Sequence, residues 1–329
     1  MFWKSIGDED MEIKECIKKF ISTINVERNL SERTLKAYLG DLRAFERFFK
    51  EKHITEITID DIRQYIEALE INRYKDTTIR RKIASIKVFF SFLEQERIIY
   101  DSPTKKIKRR YIVTKRLPKV MSTKEVKKLL EASHQEIKVL TESSYQTTYL
   151  TNPNNKLVRA HRNRTILEVL FSTGIRISEL VNLDIEDVNL YDKIILILGK
   201  GRRERIIYIS SNEVLDVIKK YLKFRRNMDS ESAALFLNKY GRRLSIYSVE
   251  NIFRKYCDKA KIKNHYTPHC LRHTMATMLL NNGADIRAVQ EILGHNYITT
   301  TQIYTEVSPK LKKRVLEKFN QRNRMKIFD

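Results

Sequence analysis

Four stretches in the first hundred residues carry apolar side chains at helical spacing. Ile13, Ile17, Phe20, Ile21 and Ile24 share one face. Leu35, Tyr38, Leu39, Leu42, Phe45 and Phe49 share another, with Ser31 placed to cap that helix. Ile62, Tyr65, Ile66 and Leu69 form a third stripe, and Ile79, Ile83, Ile86, Phe90 and Leu93 a fourth. This pattern predicts a small helical bundle. Beyond residue 120 the helical spacing resumes with one interruption. The β-prone run Lys193-Ile-Ile-Leu-Ile-Leu198 is followed by the turn-like Gly199-Lys200-Gly201-Arg202 and by Arg205-Ile-Ile-Tyr-Ile209, which predicts a hairpin. Residues 141–156 are polar and read as a loop. Near the end, Ser308-Pro309 resembles a helix start, and Leu311, Val315, Leu316 and Phe319 form an apolar stripe on a basic helix.

Charge adds a partner to this picture. Lys and Arg number 64 against 41 Asp and Glu, a net charge of +23, which attracts polyanions. Arg80, Arg81 and Lys82 sit near the start of the fourth helix, where they suit phosphate contact or form a solvated face. From Ser102 to Lys124 there is no acid, while Lys105, Lys106, Lys108, Arg109, Arg110, Lys115, Arg116, Lys119 and Lys124 all carry positive charge. Pro103 and Pro118 bracket most of this stretch, which reads as a linker tracking a phosphate backbone. The expected layout is an N-terminal helical domain (1–102), a basic linker (103–119) and a mostly helical C-terminal domain (120–329) with a small sheet.

Several classes are disfavoured. Three scattered cysteines make a disulfide framework or a cysteine-rich zinc site poor readings. No apolar run approaches the ~20 residues of a membrane span. The opening residues hold no apolar signal core. The expectation is therefore a cytoplasmic protein, nucleoid-associated if it binds DNA, with no membrane partner.

Four segments could carry chemistry. They are Ser172-Thr-Gly-Ile-Arg-Ile-Ser-Glu-Leu180, the turn with Lys200, His269-Cys-Leu-Arg-His273, and Leu293-Gly-His295 followed by Thr299-Thr-Thr-Gln-Ile-Tyr304. Each alone has an ordinary structural reading; together and in this order they are specific. They resemble the tyrosine recombinase (phage-integrase) family, most closely its Xer-type members. Its motifs are T-G-x-R-x-x-E-L, G-K-G in a hairpin turn, H-x-L-R-H, and L-G-H with a tyrosine nine residues on. Arg176, Lys200, His269, Arg272, His295 and Tyr304 fall at the catalytic positions. Leu30-Ser31, Thr34, Tyr38, Asp41-Leu42 and Phe45 resemble the family's core-binding domain. An insertion around 138–162 departs from compact Xer proteins.

The resemblance implies a mainly α fold. A SAM-like core-binding domain and a mixed α/β catalytic domain with a small antiparallel sheet would form a C-shaped clamp on double-stranded DNA. It also implies strand exchange through a 3′-phosphotyrosine and a Holliday junction, in a homo-tetramer whose C-terminal helix docks on a neighbouring protomer. With no arm-binding domain before residue 11, simple core sites are expected.

The residue types suit that chemistry. Tyrosine, with an ordinary pKa near 10, must lose a proton to attack. His269 can take it. Arg176 and Arg272 can fork onto the non-bridging oxygens, a role that a metal ion plays elsewhere. Lys200 can protonate the leaving 5′-oxygen, and His295 can hydrogen-bond the phosphate. No Walker spacing surrounds Lys200, so no ATP is expected.

His265, His269 and His273 are spaced like zinc ligands, but Pro268 interrupts a helix through His265 and no Glu follows His269. Neither a metal nor another cofactor is expected. Two alternatives stay open: a type IB topoisomerase-like DNA-relaxing enzyme, and a catalytically silent DNA-binding accessory protein.

Overall fold

The computed structural model describes residues 12–28, 30, 32–107, 119–143, 152–198, 204–228, 230–294 and 309–327. The chain divides into two compact units, Met1–Arg116 and Leu117–Asp329. Ser31, offered above as a cap, lies outside the described residues.

The first unit consists of α1 (Ile13–Arg28), α2 (Glu32–Phe48), α3 (Ile59–Ile71) and α4 (Asp76–Gln95). The four stripes read from the sequence are the buried faces of these helices. Phe20, Phe45, Phe89 and Phe90 are fully buried, and Phe20 meets Phe89 edge-on at 5.4 Å. A capping box starts α3: Thr58 accepts from the Asp61 amide, and Asp61 accepts from the Thr58 amide at 2.9 Å.

The second unit contains α5 (Thr123–Ser143), α6 (Lys156–Thr173), α7 (Ile177–Asn182), β1 (Val188–Asn189), β2 (Ile194–Leu198), β3 (Glu204–Tyr208) and α8 (Asn212–Arg226). It ends with α9 (Ile246–Lys259), α10 (Pro268–Asn281), α11 (Ile286–Leu293) and α12 (Pro309–Phe319). Helix α6 is buried along nearly all its length and packs against α5, α8 and α10, so it forms the spine of this unit. The sheet has the order β1-β2-β3 and is antiparallel throughout. Ile195 pairs with Ile207 on its buried face, and Leu196 with Ile206 on its open face. The expected hairpin is therefore present; β1 was not anticipated. Among the described residues no helix is long and apolar enough to cross a membrane.

One expectation changes. The polar stretch 141–156 is not all loop, because residues 141–143 complete α5 and Lys156 begins α6. Thr141 bonds back to the Ile137 carbonyl at 2.9 Å, and Asn155 caps α6 through the amides of Leu157 and Val158. Both flanks of the 138–162 insertion are thus helical.

The C-terminal helix is expected on a neighbouring protomer; within the single chain it packs on its own unit, with Val315 and Leu316 in the core. Behind it, Arg322 is fully buried and forks onto Glu168 of α6 at 2.6 and 2.9 Å, with a further bond to Glu213 of α8 at 2.8 Å. Withdrawing the tail alone would strand a buried carboxylate, which costs several kcal/mol, roughly 3–5. That cost favours the contact within the chain.

Candidate active site

The α6–α7 junction, the first turn of α10 and the last turn of α11 meet at one place. Gly174 ends α6 at φ 64°, where a Cβ would lie 2.8 Å from Leu293, so this turn needs glycine. The turn delivers Arg176 as the cap of α7. Thr267 caps α10 and Pro268 opens it, placing His269 and Arg272 on its first turns. Gly294, at φ 65°, ends α11 and leaves its last carbonyls without helical partners.

Arginines take those carbonyls. Arg272 donates from Nη2 to the Leu293 oxygen and from Nη1 to the Gly174 oxygen, both at 2.6 Å. Arg176 donates from Nη2 to the Gly294 oxygen at 2.8 Å and from Nη1 to Glu179 Oε1 at 2.8 Å. The negative end of the α11 dipole favours cations at this spot. Arg272 is buried, and burial together with Arg176 and Arg205 pushes its pKa down to about 10. It stays charged at neutral pH. Because neutral carbonyls alone hold the Arg272 guanidinium, its positive charge remains for an anion, whereas Arg176 shares the Glu179 carboxylate.

His269 lies beside them, its ring 5.3 Å from that of His273. Its pKa is lowered, first by burial and then by His273, Arg272 and Arg176. It is therefore neutral near pH 7 and able to accept a proton. Among the described residues no three His, Cys, Asp or Glu side chains group as metal ligands. His265 precedes α10 and does not share its face with His269 and His273.

The structure thus brings together Arg176, His269 and Arg272. Lys200, His295 and Tyr304 lie outside the described residues. Two further members were missed by sequence reasoning. Glu179 accepts from Arg176, through both side chain and backbone amide, and from Arg205 Nη2 at 2.8 Å. Arg205 of β3 also donates from Nη1 to the Leu293 oxygen at 3.1 Å, and its buried Nε has no acceptor among the described residues. A signal existed for both. Glu179 stands within the T-G-x-R-x-x-E-L match, and Arg205 shares a strand face with the buried Ile207 and Ile209.

The basic residues of the first unit differ among themselves. Arg80 and Lys106 are exposed. Arg81 and Lys82 both reach the buried Asp41 of α2, and Lys82 is itself buried. Lys82 is thus an internal ion-pair partner rather than part of an open basic face. These residues also lie one turn inside α4, not at its first amides. Lys105 pairs with Glu94 and Asp101. Lys108, Arg109 and Arg110 lie outside the described residues.

The class so defined is a mainly α chain of two units with a small three-stranded sheet, in which two arginines and a histidine gather at one point with the chemistry to hold an anion. The comparisons agree. Residues 119–310 match the phage integrase family, and residues 17–97 match the phage integrase N-terminal SAM-like domain. A tyrosine recombinase of Agathobacter rectalis is 39% identical, covering 91% of this chain and 94% of that protein. Tyrosine recombinase XerD of Staphylococcus haemolyticus is 35% identical over 94% of this chain and 98% of its own. Tyrosine recombinase XerC of Listeria innocua is 36% identical over 88% and 92%. Among solved structures, XerH recombinase in a post-cleavage complex with a palindromic difH substrate superposes with a TM-score of 0.66 at 20% identity. That match covers 97% of this chain and 88% of XerH. A lambda integrase tetramer bound to a Holliday junction matches with a TM-score of 0.64 at 17% identity, covering 89% and 77%. The chain belongs to the phage integrase family, the tyrosine recombinases.

Proposed function

We propose that this protein is a site-specific DNA recombinase that cleaves and religates duplex DNA through Tyr304. The observation that carries this reading is the convergence of Arg176, Arg272 and the neutral His269 at the end of α11. That end leads directly into the segment bearing His295 and Tyr304.

The Tyr304 hydroxyl attacks the scissile phosphorus and gives its proton to His269. The bond to the 5′-oxygen breaks, and that oxygen takes a proton from Lys200. A 3′-phosphotyrosine remains. Arg176 and Arg272 bind the non-bridging oxygens as charge builds, and His295 hydrogen-bonds the phosphate. Attack by a 5′-hydroxyl of the partner duplex reverses these steps, and two rounds exchange all strands through a Holliday junction.

The phosphotyrosine conserves the energy of the phosphodiester, so religation needs no ATP. The two fixed guanidinium groups supply the positive charge that a divalent ion would bring, so no metal is required. Arg80, Arg81, Lys105, Lys106, Lys108, Arg109 and Arg110 supply backbone contacts, with Arg80 and Lys106 exposed to do so. The working boundaries are 1–102, 103–119 and 120–329. The active form is a homo-tetramer on DNA, at the nucleoid in the cytoplasm. In such an assembly the tail can pass to a neighbouring copy if that copy's own Arg322 takes the place on Glu168, which keeps the buried carboxylate paired.

A nicked suicide duplex incubated with protein and EDTA tests the reading. Wild type forms a covalent protein–DNA adduct, and Tyr304→Phe forms none. An active Phe variant would remove Tyr304 from the mechanism. Loss of wild-type cleavage in EDTA would bring back a metal.

A further inference from the structure

The reading above uses two arginines, but three guanidinium groups occupy the site. We propose that Arg205 is a positioning residue that ties the strand after the Lys200 turn to the two phosphate-binding arginines, and so sets their geometry for cleavage. The inference rests on the recombinase reading and deepens it.

A chain of hydrogen bonds, closed through the backbone between Gly174 and Arg176, runs through all three arginines. Arg176 Nη1 donates to Glu179 Oε1, and Arg205 Nη2 donates to Glu179 Oε2, each at 2.8 Å. Arg205 Nη1 donates to the Leu293 oxygen at 3.1 Å, the same oxygen that accepts from Arg272 Nη2. Arg272 Nη1 then donates to the Gly174 oxygen, two residues before Arg176, which closes the circuit. Arg205 touches the anchors of both arginines at once. Glu179 stands between Arg176 and Arg205; the Leu293 carbonyl stands between Arg205 and Arg272.

Packing supports the same role independently. A Cβ at Gly294 would fall inside contact distance of Arg205 Nη1 and at 3.0 Å from its Cζ. The guanidinium therefore packs directly against the glycine that ends α11, and the residue after that glycine is His295. The side chain is mostly enclosed, at 19% exposure, so it is a strut rather than a surface cation. Its position in sequence completes the case. Arg205 follows Lys200 by five residues on the same hairpin, so its two bonds hold the base of that hairpin against the end of α11. A planar fork can span two acceptors in this way, whereas a lysine ammonium cannot match that geometry.

The test is single-turnover adduct formation on the nicked suicide duplex, with DNA affinity and thermal unfolding measured alongside. Arg205→Ala should slow adduct formation about 10²-fold, the usual consequence of a reacting group displaced by about 1 Å. DNA affinity should stay within about twofold. Arg205→Lys should be slowed comparably. Two readouts separate positioning from loss of fold. The Arg205→Ala/Glu179→Gln double variant should be hardly slower than the slower single variant, because both break one circuit. Millimolar guanidinium ion should restore part of the Ala variant's rate and leave wild type unchanged. Wild-type-like cleavage by Arg205→Ala overturns the inference and leaves the recombinase reading standing. So does a slowed variant that guanidinium does not rescue and that combines additively with Glu179→Gln. A wild-type protein that forms no adduct removes the reading, and this inference with it.

Discussion

Asp41 in the first unit and the end of α11 in the second both gather basic side chains, and they hold them in opposite ways. Around Asp41 the partner is a buried carboxylate: Arg81, Lys82 and the Ser85 hydroxyl all turn to it. At α11 the partners are mostly carbonyls, with Glu179 the single acid among the described residues that links Arg176 and Arg205. A carboxylate cancels a cation's charge; a carbonyl fixes its direction and leaves the charge in place. The first arrangement serves the fold, while the second keeps a site electropositive and rigid. Counting basic residues in a sequence cannot tell them apart.

The sharpest way to break this contrast is Arg272→Ala. Adduct formation should fall about 10³-fold, the usual loss when a donor to the developing charge is removed. DNA affinity should change far less. If cleavage survives, the carbonyl-held arginines are structural like Lys82. At Asp41 the expected loss is in stability. Asp41→Ala leaves Lys82 buried without its partner and should cost about 3 kcal/mol, read from urea unfolding of the full chain. Adding Lys82→Met should recover most of it; no recovery would mean that Asp41 acts through other contacts.

A smaller effect concerns pH. Because the His269 pKa is lowered below its ordinary 6.5, the neutral base persists into mildly acidic solution. Single-turnover cleavage should stay level down to below pH 6.5, then fall by at most about tenfold per pH unit. An acid limb centred above 6.5 would contradict the electropositive surroundings of this histidine. The smallest effect separates Arg80 from Lys82 on DNA. Arg80→Ala should lower the slope of log affinity against log salt by about 1. Lys82→Met should leave it unchanged, since Asp41 already holds that charge.

The sequence pattern revealed whatever depends on neighbours a few positions apart. The four stripes of α1 to α4 are local periodicities, the β-prone runs of β2 and β3 flank a local turn signal, and each became an element. Arg176, His269 and Arg272 were legible because short motifs surround them. What stayed hidden depends on distant partners. Lys82 looked like a DNA contact until Asp41, 41 positions earlier, came beside it. Within the single chain the tail is anchored where Arg322 meets Glu168, 154 positions away. The end of α5 looked like a loop because the exposed face of a helix can be as polar as one.

Gly294 and Arg205 are 89 positions apart and share one small volume. A side chain at 294 has nowhere to go while a long one lies at 205, and a shortened residue at 205 opens a hole beside a backbone that was shaped to fit it. The glycine is held twice over, by this contact and by its left-handed backbone at φ 65°. Among related sequences, loss of the glycine should accompany loss of the arginine, and an alignment of sufficient depth would show that pairing as covariation.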